Sequence, residues 1–338
     1  MKISNTNKFL LSLLVGAASL QSCSSDDDSN NTTVQELNLP ETITINEAGL
    51  FPEGIDFNNN TNEFLVSSFE LGSVGTINAE TGEYTAFVQD ENFVNVAGIF
   101  TDEVRNRLLV VSGDVANGNL AYLGIYNLET GAPITDGIFL NNLLDEDSGS
   151  FGNDITVDEE GNIYVTDSFS PVIYRVDATT FEPSILVNGG DAFSAINDGP
   201  GFALNGIVYL NGDLIVNVLN QGTLFKVPVN APEDYTLIDA PLFFGGDGLE
   251  VDADGNIVIV DNGFSAEDRG TGAYTLSSTD GFDTATISSS FLIDSTSFPT
   301  TAALASDGNI YVVNAYLTSS ATLGGEGTQE TFTILRAE

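Results

Sequence analysis

The stretch Asn153-Asp154-Ile155-Thr156-Val157-Asp158-Glu159-Glu160-Gly161-Asn162-Ile163-Tyr164-Val165-Thr166 reads as two strands joined by a tight turn. Alternating apolar residues run into an acidic Gly-Asn corner and out again, which is a hairpin pattern. The same grammar recurs from Asp247-Gly248-Leu249 through Ala253-Asp254-Gly255-Asn256 into Ile257-Val258-Ile259-Val260. Related starts lie near Gly54, Gly98, Gly206 and Ala302, so that successive starts, with Asp154 and Gly248, are 44, 56, 52, 42 and 54 residues apart. Further strand pairs follow downstream, as at 171–176 and 184–187. This spacing fits four-strand repeats better than sandwiches or helical repeats, and no long stretch carries a 3.6-residue apolar period. Six units predict an all-β chain folded as a six-bladed β-propeller. Residues 34–39 or 41–45 are expected to pair with residues 331–335 and close the ring, which would remove exposed sheet edges.

Counting back from the turn glycine of each unit, the equivalent positions hold Glu53, Ala97, Asn153, Asn205, Asp247 and, in the last unit, Thr300. In a surface loop Asn and Asp before glycine would be turn formers. Glu53 is a poor turn former, yet it occupies the same point of the motif. Units arranged radially would bring these side chains together at the axis. Two carboxylates and two carboxamides at one point suit a hard dication, Ca2+ above all. The candidate metal ligands are therefore Glu53, Asn153, Asn205 and Asp247. Asp252-Ala253-Asp254-Gly255-Asn256 is read as a hairpin turn and not as a calcium loop, because the glycine comes too early and position twelve would be Gly263.

The chain has 338 residues, 42% hydrophobic residues, one cysteine, no histidine and a formal net charge of −41. That apolar content is ample for a core. The absence of histidine excludes Ser-His-Asp and Cys-His chemistry and histidine-ligated zinc, copper or iron. So large an acidic excess argues against binding nucleic acid or an anionic membrane surface through the domain. Lys2 and Lys8 precede an apolar run over 9–20, too short to favour a spanning helix, which reads as a secretory leader. It ends in Leu20-Gln21-Ser22-Cys23, which resembles the lipobox of bacterial lipoproteins, with Cys23 as the lipidated first mature residue. Ser24-Ser25-Asp26-Asp27-Asp28 opens an acidic tether, read either as a surface-export signal or as a solvated spacer. The expected division is a leader over 1–22, a flexible tether over 23–35 and the propeller over 36–338. A monomer is expected, anchored by lipid in the outer membrane of a Gram-negative bacterium on the periplasmic or cell-surface side.

Over residues 50–335 the sequence resembles the SMP-30/gluconolactonase-like family of calcium-dependent six-bladed propellers. Pro52-Glu53-Gly54 is similar to its opening Glu-Gly motif, and Asn153-Asp154 with Val157-Asp158 and Gly161 to its Asn-Asp motif. Leu204-Asn205-Gly206 resembles its Asn-Gly motif, and Asp247-Gly248-Leu249 with Val251-Asp252 and Gly255 its Asp-Gly-Leu motif. The resemblance implies that Glu53, Asn205 and Asp247 ligate the metal. It makes Asn153 a further ligand or a substrate contact, and Asp247 also the catalytic carboxylate. Phe151 stands where the sugar-lactonase members carry an arginine, and is assigned to the substrate side. The tryptophan that often follows the opening motif is missing.

The reading that follows is a calcium-dependent hydrolase of lactones or related esters, with a metal-polarised carbonyl and carboxylate-assisted attack of water. Phe51, Phe151, Phe244 and Tyr126 are candidates for apolar walls, against the ordinary alternative that they fill the core. The competing reading is a non-catalytic surface propeller that binds a ligand or partner and holds a structural calcium.

Overall fold

The computed structural model describes residues 39–196, 201–263 and 270–337. Cys23, the leader and the tether lie outside the described residues. Among the described residues the regular structure is strand and short 3₁₀ turns, with no α-helix. The strands form meanders in which sequence neighbours pair antiparallel. One such sheet contains Ile55–Asn58, Glu63–Ser68, Ser73–Asn78 and Tyr84–Gln89. Two more four-stranded sheets start at Leu204–Leu210 and Gly246–Val251. Another runs from Pro299–Leu304 through Ile310–Asn314 and Phe332–Ala337 to Thr42–Ile45. The remaining strands form one eight-stranded sheet. It consists of two antiparallel meanders, starting at Asn95–Asp102 and Ser150–Val157, joined only where Ser150 and Phe151 pair in parallel with Asn119 and Leu120.

The Asp-x-x-Gly-Asn corners at 158–162 and 252–256 explain why the first two strands of two units turn so tightly. Gly161 and Gly255 have φ of +90° and +80°, a region open to glycine and costly for other residues. Their amides bond back to the Asp158 and Asp252 carbonyls, both at 3.0 Å. In the corner over 252–256, read from the sequence as a hairpin turn, Asp252 Oδ1 accepts from the amides of Asp254 and Asn256 at 2.9 and 2.8 Å, so this carboxylate caps its own turn.

Ring closure uses the second of the two expected segments. Thr42 pairs with Leu335 and Ile45 with Phe332, so the first described strand completes the sheet of the last. Apolar residues pack between successive sheets: Ile215, Phe243, Leu249, Ile259 and Tyr274 fill one such layer. The first strand of every meander touches the first strand of the next, and Pro299–Leu304 touches Ile55–Asn58, which closes the circle. With the core spread between sheets, the centre of that circle is left for polar side chains.

Candidate metal centre

In every meander but the first, the first strand is interrupted at the same place. Pairing with the second strand skips from Val96 to Ile99, Gly152 to Ile155, Leu204 to Ile207, Gly246 to Leu249 and Pro299 to Ala302. The residues skipped are the expected positions and their followers: Ala97-Gly98, Asn153-Asp154, Asn205-Gly206, Asp247-Gly248 and Thr300-Thr301. In the first meander, Glu53-Gly54 precede the paired strand directly, and the Ser67 amide donates to the Gly54 carbonyl at 2.9 Å. A bulge takes its residues out of the ladder and re-aims their side chains. Here it turns them toward the axis.

The bulges also touch one another, which fixes the close approach. A Cβ on Gly54 would lie 2.5 Å from the Ala97 carbonyl oxygen, one on Gly98 2.7 Å from that of Asn153, and one on Gly206 2.5 Å from that of Asp247. Thr166 Oγ1 donates to the Asn205 carbonyl at 2.6 Å, and Thr300 Oγ1 to the Glu53 carbonyl at 2.6 Å, joining the last unit to the first. Glycine follows most of the site residues because the neighbouring backbone leaves no room for a side chain.

Glu53, Asn153, Asn205 and Asp247 are 8%, 4%, 4% and 6% exposed, and all four line one cavity of about 740 Å³. The structure therefore places all four candidate ligands on the wall of one cavity. Asn262 Nδ2 donates to Asp247 Oδ2 at 2.8 Å, and Asn205 also hydrogen-bonds that carboxylate. The Glu53 carboxylate has no hydrogen-bond donor among the described residues. Burial, with Asp247 and Asp154 nearby, pushes Glu53 well above the usual carboxylate range. Burial and the Asp154 charge bring Asp247 up to about 7, against the hydrogen bonds from Asn262 and Asn205. Two carboxylates destabilised in this way, with neutral amide oxygens beside them, form a donor set that fits a hard divalent cation. No three carboxylates among the described residues converge closely enough to chelate an ion alone, so the carboxamides are essential to that fit.

The expected apolar walls are not on this cavity. Phe151 is 1% exposed and packs against Phe69, Phe169 and Phe202 at ring separations of 6.4, 5.5 and 5.3 Å. Its backbone forms the parallel ladder with Leu120, which places it between two meanders. Phe51 packs edge-on to Phe332 at 5.3 Å. Tyr126 is 3% exposed, and its hydroxyl donates to Asp90 Oδ2 at 2.6 Å. Phe244 is half-buried and also lies off the wall.

Sequence reasoning missed further wall carboxylates as site residues, among them Asp56, Asp154 and Glu250. Burial raises them to about 6, 7 and 8 respectively. The signal was present for two of them: Asp56 follows Glu53, and Glu250 follows Asp247, at the same interval of three residues. Asp154 sits where other units have glycine, and only the geometry separates it from Asn153.

A family profile described as a beta-propeller repeat matches residues 147–166, the stretch containing the Asn153 bulge. No curated protein sequence matches the chain. Among solved structures, the chain is similar to the major allergen Mala s 1 of Malassezia sympodialis, with 17% identity, a TM-score of 0.68, and 89% and 97% of the two chains covered. It is also similar to virginiamycin B lyase from Staphylococcus aureus, with 12% identity, a TM-score of 0.55, and 89% and 99% covered. A gluconolactonase from Xanthomonas campestris gives 12% identity, a TM-score of 0.56, and 89% and 91% covered. At such identities the likeness is one of fold: an all-β propeller.

Proposed function

We propose that the protein is a six-bladed propeller of the lactonase/esterase type that works with calcium. The blade count is supported by the closed circle of first strands and by the division of the eight-stranded sheet at its two-residue parallel contact. One observation carries the reading: Asn153, Asn205 and Asp247 occupy equivalent bulges, Glu53 stands directly before the first strand of its own sheet, and all four line one cavity. Calcium bound there would supply a Lewis acid for a substrate carbonyl oxygen. Glu53 and the two carboxamides hold and orient the site. Asp247, fixed by Asn262 and Asn205, takes a proton from water as the water oxygen adds to the carbonyl carbon. The carbon–oxygen bond of the lactone or ester then breaks, and the leaving oxygen takes up the proton.

The test is hydrolysis of a lactone and aryl-ester panel with calcium and with chelator. Asp247→Asn keeps the shape and one ligand oxygen but loses the basicity. At saturating calcium its turnover should fall by about 10²–10⁴-fold. Near-normal turnover would remove Asp247 from catalysis. The burial of Phe51 and Phe151 away from the cavity favours a second reading, a ligand-binding propeller with structural calcium. Hydrolysis of no panel member by the wild type would select it.

A further inference from the structure

Among the described residues, the cavity is built from one side of the ligand positions only. Its wall consists of those positions, the first strands that follow them and the corners beyond, where Asn59, Val104, Glu159 and Asn211 lie. No wall residue precedes a ligand position in its own meander. At that opposite end of the strands Phe69, Phe151, Phe169 and Phe202 pack on one another at ring separations of 5.3 to 6.4 Å, linking the first meander to the third. The mouth is therefore at the corners, where Val104 is 90% exposed. Glu53 stands five residues of strand away from the corner that follows it, a depth of roughly 15 Å at about 3.3 Å per residue. With a volume of about 740 Å³, the cavity is within the range of small-molecule sites.

Between blind end and mouth, the charged groups are engaged by the protein itself. Asp56 Oδ2 takes the Thr101 amide at 2.6 Å, Asp154 Oδ2 the Ile207 amide at 3.0 Å and Glu250 Oε1 the Val251 amide at 2.7 Å. At the corners Arg105 Nη2 donates to the Glu159 carbonyl at 2.6 Å, Glu103 accepts from Asn59, and the Glu159 carboxylate accepts from the Tyr209 hydroxyl. The surface left over is apolar. Three residues after the ligand position, where the first and fifth meanders carry Asp56 and Glu250, the second carries Phe100 and the fourth Val208. Phe100, Leu210 and Leu304 each rest one side on a core layer between sheets, yet they are only half-buried and line the cavity. Their first-strand neighbours Ile99 and Ile207 are 6% and 1% exposed, so this residual exposure belongs to the channel and not to loose packing.

We propose that this cavity takes an uncharged molecule with a linear hydrocarbon chain, its carbonyl at the blind end and its chain running out past Phe100, Leu210 and Leu304 to Val104. A polyol would desolvate its hydroxyls against these side chains. A fatty-acid anion would add negative charge to a wall whose one described basic side chain, Arg105, is already held by Asp102 and Glu159. An alkyl or acyl chain gains from the same surface, because each methylene removed from water contributes to binding. The inference deepens the hydrolase reading by naming the substrate class, a lactone or ester with an aliphatic chain, and it rests on that reading for the placing of the carbonyl. Its test measures binding and not turnover, so the two can fail separately.

The probes are 2-ethylcyclopentanone and 2-octylcyclopentanone, which carry a lactone-like carbonyl but no ester bond, measured by calorimetry on calcium-loaded full-length protein. One octyl ketone should bind per chain, at least about 10²-fold more tightly than the ethyl ketone, as the longer chain leaves water. Phe100→Asn and Leu210→Asn should each weaken the octyl ketone about tenfold and leave the ethyl ketone unchanged. Val104→Asn, at a solvated corner where the fold does not depend on the side chain, should weaken the octyl ketone about threefold. Ile134→Asn, exposed and off the cavity wall, should change neither. Equal affinity for the two ketones, binding of neither, or a chain preference lost in the Ile134 variant and kept in the cavity variants would overturn the proposal. Chain-dependent binding without hydrolysis of any lactone or ester would leave it standing and remove the hydrolase, whereas hydrolysis with equal affinity for the two ketones would do the reverse.

Discussion

At the residue scale, the axial carboxylates are held under conditions that oppose their charge, and this should be measurable. Burial and the Asp56 charge raise Glu250 to about 8, well above its ordinary 4.5. The folded chain therefore holds this proton more tightly than the unfolded chain. Its contribution to stability is complete below the unfolded value and is lost as pH rises through about 8. Metal-free protein should melt at a lower temperature at pH 8.5 than at pH 6, and Glu250→Gln should reduce that difference by roughly 2 °C or more. An unchanged pH slope in the variant would show that Glu250 carries no such strain. That Glu53, Asn153, Asn205 and Asp247 share one cavity wall was legible in the sequence because each opens a unit of the repeat. The places of Phe51 and Phe151 were not, because a residue two places before these candidate ligands packs into the core and off the cavity, and composition alone gives no sign of which side a phenylalanine takes.

At the element scale, the bulge is the device that makes a strand into a site. Its position was readable from the small residue that opens each unit, but its geometry was not: an Asn-Gly pair marks a turn as readily as a bulge. The distinguishing fact is tertiary, the carbonyl of the next unit pressed against the glycine. Gly206→Ala should therefore be destabilising. Its Cβ would meet the Asp247 carbonyl at 2.5 Å, the Leu249 amide at 2.7 Å and the Gly248 carbonyl carbon at 2.9 Å, all backbone atoms with little freedom to withdraw. Overpacking of this kind costs about 1–3 kcal/mol, and the displaced Asp247 should also weaken calcium binding. A Gly206→Ala protein with unaltered melting and calcium affinity would contradict the close packing of the ring.

At the scale of the whole molecule, calcium should act as a clamp across units. Glu53 and Asp247 belong to sheets far apart in sequence, so an ion shared between them stabilises only the closed arrangement. Binding to the native state alone contributes about 2.7 kcal/mol at a hundredfold excess over the dissociation constant. Melting should shift upward with calcium, and Glu53→Gln should remove most of that shift. Equal melting temperatures with calcium and with chelator would show that no such clamp operates. The repeat spacing made the circular architecture legible, as did the partner of the last strand, although the sequence offered two candidates for it. Membrane attachment is a separate matter: Cys23→Ala should move the protein from the membrane fraction to the soluble one, as read by fractionation and by the mass of the mature N-terminus.

The seam of the ring has a mechanical meaning. The first described strand is held to the last by four residue pairs, with Arg336 reaching across to Glu41 at 3.2 Å and its amide to the Glu41 carbonyl at 2.9 Å. Ile43 and Ile45, 3% and 0% exposed, are its buried footing. A pull applied at Leu39 reaches this short ladder before any other described strand. The strand that closes the propeller is thus also its fuse: under tension it would part first, opening the circle at one joint while the remaining sheets keep their own pairings.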